Sequence, residues 1–185
     1  MRGRPGAGRF SPPWRSMTDS ATAVTGGATS SVFSWGNPAL PDLTDGVALV
    51  LGVKFAVAQA ASCTGVEWRV PNTVPVGLCT FTLWNFDTQL RLATVDATVG
   101  AGSAGALTRF LFASPVAVAS GTNYLASVFT PNRYVATANY TWPRTDGILT
   151  ADAANGWLVI WPTEVFPNNE SANDANYHVG PVVAA

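Results

Sequence analysis

The sequence predicts an all-β fold: an antiparallel β-sandwich, jelly-roll-like, with an extended N-terminal arm. Three observations predict it. Short runs of alternating apolar residues recur from Val32 onward, the period of a strand with one buried face. Turn residues punctuate these runs at short spacing, at Asn72, Pro75-Val76-Gly77, Gly100 to Gly105, Ser114-Pro115, Pro131-Asn132, Asp146-Gly147 and Asn155-Gly156. No window of helical length keeps a helical apolar spacing free of Gly and Pro. Many short strands without an internal repeat define a sandwich.

The elements follow in order. Residues 1–16 read as an extended anchor, in which Phe10 and Trp14 are suited to enter a groove and Pro12-Pro13 favours a polyproline conformation. The alternative for such a segment is a disordered tail. Met17 offers a second candidate start, which would make residues 1–16 a mis-assigned extension rather than an arm. Residues 17–31 are Thr, Ser, Ala and Gly, a linker by composition. The domains are therefore an arm and linker over 1–31 and a sandwich over 32–185. Val47, Leu49, Leu51, Val53, Phe55 and Val57 line one face of a first long strand. Val66, Trp68 and Val70 line the next, with Glu67 and Arg69 on its wet side. Phe81 and Leu83, then Leu90 to Val99, carry two more. Phe110 and Phe112 face one way on the next strand, and Leu107, Arg109 and Leu111 face the other. Tyr124 to Val128, Tyr134 to Tyr140, Trp157 to Trp161 and Tyr177 to Val183 complete the set.

Composition narrows the function. Among 185 residues there are one histidine, two cysteines, one lysine and three glutamates, against seven tryptophans, nine phenylalanines and four tyrosines. Such a chain packs and stacks well but has little with which to move protons or hold a metal. Charged residues are 11% of the chain, against roughly 25% in an average soluble domain. A surface so poor in charge suits a protein covered by neighbouring subunits, and a symmetric homo-oligomer is expected. Arg2, Arg4, Arg9 and Arg15 stand in an arm without an acid, so the chain is a basic arm on an acidic body. Four arginines mixed with Gly and Pro point to an acidic protein surface rather than to nucleic acid. No apolar run is long enough for a secretory signal or a membrane span.

One order of motifs is familiar. Leu51-Gly52-Val53-Lys54-Phe55 is followed by Thr64-Gly65-Val66-Glu67-Trp68, Thr82-Leu83-Trp84 and Leu90-Arg91-Leu92-Ala93-Thr94. Ser114-Pro115-Val116-Ala117-Val118 leads through Gly121-Thr122-Asn123-Tyr124 to Pro131-Asn132-Arg133-Tyr134, Asn155-Gly156, Phe166-Pro167 and Asn176-Tyr177-His178-Val179. Over Val47 to Val183 this resembles a bacterial extracellular β-sandwich family of unknown function. That family also occurs in virion proteins of actinobacterial phages. The chain departs from it at Ala106-Leu107-Thr108, where the family has Gly-Trp-Gln, and at Tyr177-His178-Val179-Gly180, where it ends Tyr-Trp-Val-Asp. The resemblance implies a fold and a surface setting, not a reaction.

Each candidate for chemistry has a plain counterpart. His178 with Ser171 and Asp174 contains the residue types of a hydrolytic triad, yet no nucleophile elbow or oxyanion loop accompanies them. A packed histidine is the simpler reading. Glu67, Glu164 and Glu170 supply carboxylates without a pairing signal for glycoside hydrolysis. Asn168, Asn169, Glu170, Asn173 and Asp174 are oxygen-rich but match no calcium-loop spacing, and a polar turn accounts for them. Cys63 and Cys79, placed on a hairpin turning near Val74, would be too far apart to bridge, which leaves buried free thiols. No catalytic residue, metal site or cofactor is therefore expected.

The aromatic residues remain. Trp68 and Phe81 belong to the core by alternation, and Trp157 is expected there as well. Tyr134, Tyr140 and Trp142 sit in a loop-rich stretch, suited either to stacking on a sugar ring or to a small core under loops. The expected function is an accessory virion protein of a tailed phage, a minor tail or capsid decoration protein. In that reading Arg2, Arg4, Arg9, Phe10, Trp14 and Arg15 bind other virion proteins. The alternative is a carbohydrate-binding or adhesion module of a bacterial surface protein, binding host glycan through Tyr134, Tyr140 and Trp142. No contact with nucleic acid and no membrane insertion is expected. The location is the virion surface, or in the alternative the bacterial cell surface or exterior.

Overall fold

A computed structural model describes residues 29–31, 40–153 and 155–184. The arm residues Arg2, Arg4, Arg9, Phe10, Trp14 and Arg15 lie outside the described residues. The strands are β1 (Thr29–Ser31), β2 (Asp42–Leu43), β3 (Leu49–Val57), β4 (Ala61–Arg69), β5 (Gly77–Asn85), β6 (Arg91–Val99), β7 (Leu107–Val118), β8 (Asn123–Thr130), β9 (Tyr134–Val135), β10 (Arg144–Asp146), β11 (Leu149–Ala151), β12 (Trp157–Ile160), β13 (Asn169–Glu170) and β14 (Val179–Ala184). One turn of 3-10 helix, Ala101–Ser103, joins β6 to β7.

The strands form two large antiparallel sheets and a separate two-stranded pair, β2 with β9. One has the order β1-β14-β4-β7; the other runs β10-β11-β3-β8-β5-β6, with β12 and β13 beside β3. The chain changes sheet at β3 to β4, β4 to β5, β6 to β7 and β7 to β8, and returns at β14; β5 to β6 stays in one sheet as a hairpin. With β1-β14-β4-β7 facing β3-β8-β5-β6, this is a jelly roll, the fold class expected from the sequence. β1 carries the sheet into the segment whose composition reads as linker.

Alternation decides which side chains fill the space between the sheets. Leu49, Leu51, Val53 and Phe55 from β3, Val66 and Trp68 from β4, and Phe81 and Leu83 from β5 are all buried in one cluster. Phe81 stacks on Phe110 with ring centroids 3.7 Å apart, and Trp68 leans on Phe81 at 5.9 Å. β6 is amphipathic as a strand of an edge position should be: Ala93, Val95 and Ala97 point inward and Thr94, Asp96 and Thr98 outward.

Three expectations need correction. Glu67 does point away from the core, but it is buried, and Arg109 Nε on the neighbouring β7 donates to Glu67 Oε2 at 3.0 Å. Strand alternation gives a side chain's direction and says nothing of what covers it. Cys63 and Cys79 are buried free thiols, but not on a hairpin: β4 and β5 belong to different sheets, because residues 70–76 carry the chain across the sandwich. Burial pushes both thiols up, to about 11 and about 12. Trp157 is half-buried in a separate aromatic layer, not in the main core. Phe86 meets Trp157 edge-on at 4.8 Å, and Phe166 packs on both Phe86 and Trp84. Lys54 and Arg91 lie over Phe86 and Trp84 at 5.1 and 5.3 Å, a cation–π arrangement that covers ring faces with charge.

Candidate functional site

Residues 131–178, between β8 and β14, extend the larger sheet beside β3 through β10, β11, β12 and β13. Asn155 ties this segment to β3. Its Oδ1 accepts from Lys54 N–H at 2.9 Å and its Nδ2 donates to Lys54 C=O at 2.7 Å, so the side chain fills the ladder between β11 and β12. Gly156 follows in a left-handed conformation (φ +94). Its carbonyl accepts from Ser171 N–H at 2.7 Å. The loop 171–175 is thereby held against the sheet.

Two segments then zip together as a short ribbon. Thr137 and Asn176 exchange backbone hydrogen bonds at 2.9 Å each way, Asn139 N–H donates to Asn173 C=O at 2.7 Å, and Tyr140 N–H donates to Asp174 C=O at 3.2 Å. Asn139 (φ 51), Asp174 (φ 46) and His178 (φ 50) all adopt left-handed backbone here. Non-glycine residues in that region are uncommon, and a group of them at one place marks a backbone held in shape by its surroundings.

The ribbon separates two hollows. The first, of about 300 Å³, is lined by Asn139, Tyr140, Thr141, Trp142, Ala153 and Asp174. Its aromatic wall is the pair Tyr140 and Trp142, with ring centroids 4.7 Å apart. Trp142 Nε1 donates to Asp174 C=O at 3.2 Å, and the Arg144 guanidinium lies 5.3 Å from the Tyr140 ring centre. These contacts fix the ring planes. The second hollow, of about 490 Å³, holds Tyr134 and Tyr177, which meet edge-on at 6.1 Å. Tyr134 Oη donates to Asp45 Oδ2 at 3.1 Å. Burial, with Asp45 beside it, pushes the Tyr134 phenol up to about 12. Of the three aromatic residues singled out from the sequence, two are thus together and the third, Tyr134, lies across the ribbon. Sequence reasoning missed Asn139 and Asp174 as walls of the first hollow. Their one signal was their residue type, since Asn and Asp tolerate left-handed backbone.

The hydrolytic constellation does not form. Ser171 Oγ accepts from Ala175 N–H at 3.3 Å and Asn173 N–H at 3.4 Å, whereas His178 Nε2 is bonded to Thr137 Oγ1 at 2.8 Å. Asn169 and Glu170, from the oxygen-rich stretch, form β13 against β12. Among the described residues no group of three or more His, Cys, Asp or Glu is placed to hold a metal.

His178 is 1% exposed and is held down to about 4, chiefly by burial and then by Arg69. The unfolded chain therefore binds a proton that the folded chain refuses between pH ~6.5 and ~4. Stability is whole above that window and falls as pH drops through it, by roughly 1.4 kcal/mol per unit and roughly 3 kcal/mol in all. Denaturant midpoints at pH 7, 5 and 4 check this. His178→Asn, which suits the left-handed backbone, is expected to flatten the slope; an unchanged slope in that variant would assign the acid lability elsewhere.

The fold and this segment define a jelly-roll module with an aromatic-walled hollow. The family described as "Domain of unknown function (DUF4082)" matches residues 36–179, and the chain belongs to it. No curated protein matches the chain.

Proposed function

We propose that the chain is a non-catalytic surface module that binds carbohydrate in the hollow walled by Tyr140 and Trp142. The observation that carries this reading is the composition of that hollow. The aromatic pair Tyr140 and Trp142 lines it together with the polar residues Asn139, Thr141 and Asp174. A pyranose has the complementary surface: C–H groups that stack on aromatic faces and hydroxyls that both donate and accept. The size falls at the lower end of small-molecule sites, roughly 300–1,000 Å³. The left-handed backbone at Asn139 and Asp174 supports a site shaped before the ligand arrives.

The setting we assign is the surface of a tailed-phage virion, as a minor tail or capsid decoration protein in a symmetric oligomer. The arm, through Arg2, Arg4, Arg9, Phe10, Trp14 and Arg15, would hold it to other virion proteins. The uneven charge of the sequence supports the arm's role. Ile160 and Trp161, 58% and 53% exposed, support a surface completed by neighbouring subunits. A bacterial surface protein is the alternative setting.

One experiment addresses both parts. Purified particles carrying the full chain are expected to retain it and to bind a glycan array. Particles assembled with a chain lacking residues 1–16 are expected to lose the protein and the glycan signal together. Full occupancy by the shortened chain would reject the anchoring role, and retained protein without any glycan signal would reject the binding role.

A further inference from the structure

A third hollow, of about 290 Å³, lies at the end of β12 beside the start of β3. Val47, Ala48, Ile160, Trp161 and Pro162 line it, and all five are apolar. Val47, Ile160 and Trp161 are exposed, so the hollow faces solvent. A strand edge runs beside it. Trp161 N–H donates to Ala48 C=O at 3.3 Å, so alternation along β12 aims the Ile160 N–H and C=O away from β3. β13 pairs β12 only at Trp157 and Leu158. Continued by two residues, that register opposes Ile160 with Pro167, which has no N–H to give. An apolar hollow beside an open strand edge suits an extended peptide with an apolar side chain. Asp45, two residues before Val47, is exposed. It accepts from the neutral Tyr134 hydroxyl, and among the described residues no ion pair involves it.

We infer that this hollow is the dock for the N-terminal arm of a neighbouring copy, with Phe10 in the hollow and Gly6 to Ser11 laid along the Ile160 edge as an added strand. This rests on the anchoring role of the arm and names the next copy as one surface it holds. The arm's sequence fits the place. Each of residues 6–11 has an N–H for a ladder, and Pro12-Pro13 end it. Arg9 stands beside Phe10 as Asp45 stands near Val47. The ten basic residues less the arm's four leave six against eleven acidic ones, so every copy offers the arm an acidic body. Position favours a neighbour over the chain's own arm. Thr29 is level with Ala184, and Ala184 with Ser62, which places the start of β1 near the β3–β4 turn. The hollow lies at the opposite end of β3, about 26 Å away along the strand. Residues 17–28 span up to ~40 Å when extended, so the arm reaches a copy set end to end with its own without doubling back. A contact between unlike surfaces repeats from copy to copy and closes a ring when the rotation allows.

The test sediments the full chain over a range of concentrations. Copies are expected to associate, and Trp161→Lys and Phe10→Ser are each expected to raise the dissociation constant between copies about tenfold or more. Trp161 is exposed, so its variant should keep the melt of the parent chain. Ile160→Lys, also exposed, gives the same readout if Trp161→Lys does not fold. A monomeric full chain would overturn the inference. So would association that survives Phe10→Ser, since something other than the arm, such as the same face of a second copy, would then fill the hollow. A cross-link assigns the arm to its copy. Full chains carrying Ser11→Cys are mixed with full chains carrying Thr163→Cys, an exposed position one residue past Pro162, and oxidised. A disulfide between residues 11 and 163 is expected, and in that mixture it joins two copies. If it forms only within single chains that carry both substitutions, or in neither sample, the neighbour's arm does not fill the hollow and the inference falls. A monomeric full chain that particles still retain would overturn this contact and leave the anchoring standing; retention of the shortened chain removes the anchoring and the contact built on it.

Discussion

Gly156→Ala is expected to damage both the fold and the site. A Cβ at this position would stand 2.0 Å from Ala175 O, a backbone atom that cannot step aside like a side chain. The left-handed φ of +94 adds strain of its own. The backbone term costs about 1–3 kcal/mol and the overlap about 1–3 kcal/mol more. A Tm lower by on the order of 10 °C is the expected result. Binding falls too, because Gly156 C=O holds Ser171 N–H and so anchors the loop whose Asp174 lines the first hollow. Gly121→Ala is the control. Gly121 also has a left-handed φ, +78, but a Cβ there meets nothing within 4 Å. It should lose only the backbone term. Equal losses in the two variants would mean that the 171–175 loop yields without cost, and that Gly156 does not anchor it.

Trp142→Ala is the second large effect, and it falls on binding. The substitution removes one of the two ring faces of the first hollow and the indole N–H that holds Asp174 C=O. Aromatic side chains at the centre of a site commonly carry about 2 kcal/mol or more of binding energy, so affinity should fall by about thirtyfold or more. Some stability goes with it, since Trp142 also packs against the core. Trp142→Phe separates the two: it keeps a ring face and loses the N–H. Phe is expected to retain most of the affinity and Ala little, measured by calorimetry on samples checked for a cooperative melt. Equal weakening by Phe and Ala would give the donor, not the stacking face, the main role.

Much of the sandwich was legible in the sequence because one face of each long strand is buried. The alternation in Leu49–Val57 set that strand and its core face; around Phe110 and Phe112 it set the strand, and the structure puts these two rings on the inner side. The path of the chain was not legible. Nothing local to Asn72, Pro75 or Gly77 tells a hairpin from a crossing between sheets, which is why Cys63 and Cys79 were expected on neighbouring strands. The burial of Glu67 was hidden for a related reason, since its cover comes from residues remote in sequence.

The candidate site was half legible. Tyr140 and Trp142 are close in sequence on an irregular segment, so both read as one aromatic surface. Tyr134 read as part of the same surface, but its ring lies beside Tyr177 across the ribbon. Asp174 and Asn139 come together because residues 137–140 pair with 173–176. A pairing between two irregular segments leaves no periodic trace. The backbone hydrogen bonds that make it belong to every residue type alike.

The most direct measurement is a titration followed through the indole N–H signals of the tryptophans by nuclear magnetic resonance. The probe is the oligosaccharide that gives the strongest signal on the glycan array. Trp142 Nε1–H sits at the wall of the first hollow, Trp68 lies in the core, and Trp161 is exposed away from the ribbon. The account predicts that the Trp142 signal moves in step with saturation while those of Trp68 and Trp161 hold still. A Trp142 signal that stays in place, whether because another tryptophan moves or because no oligosaccharide moves any, would contradict it.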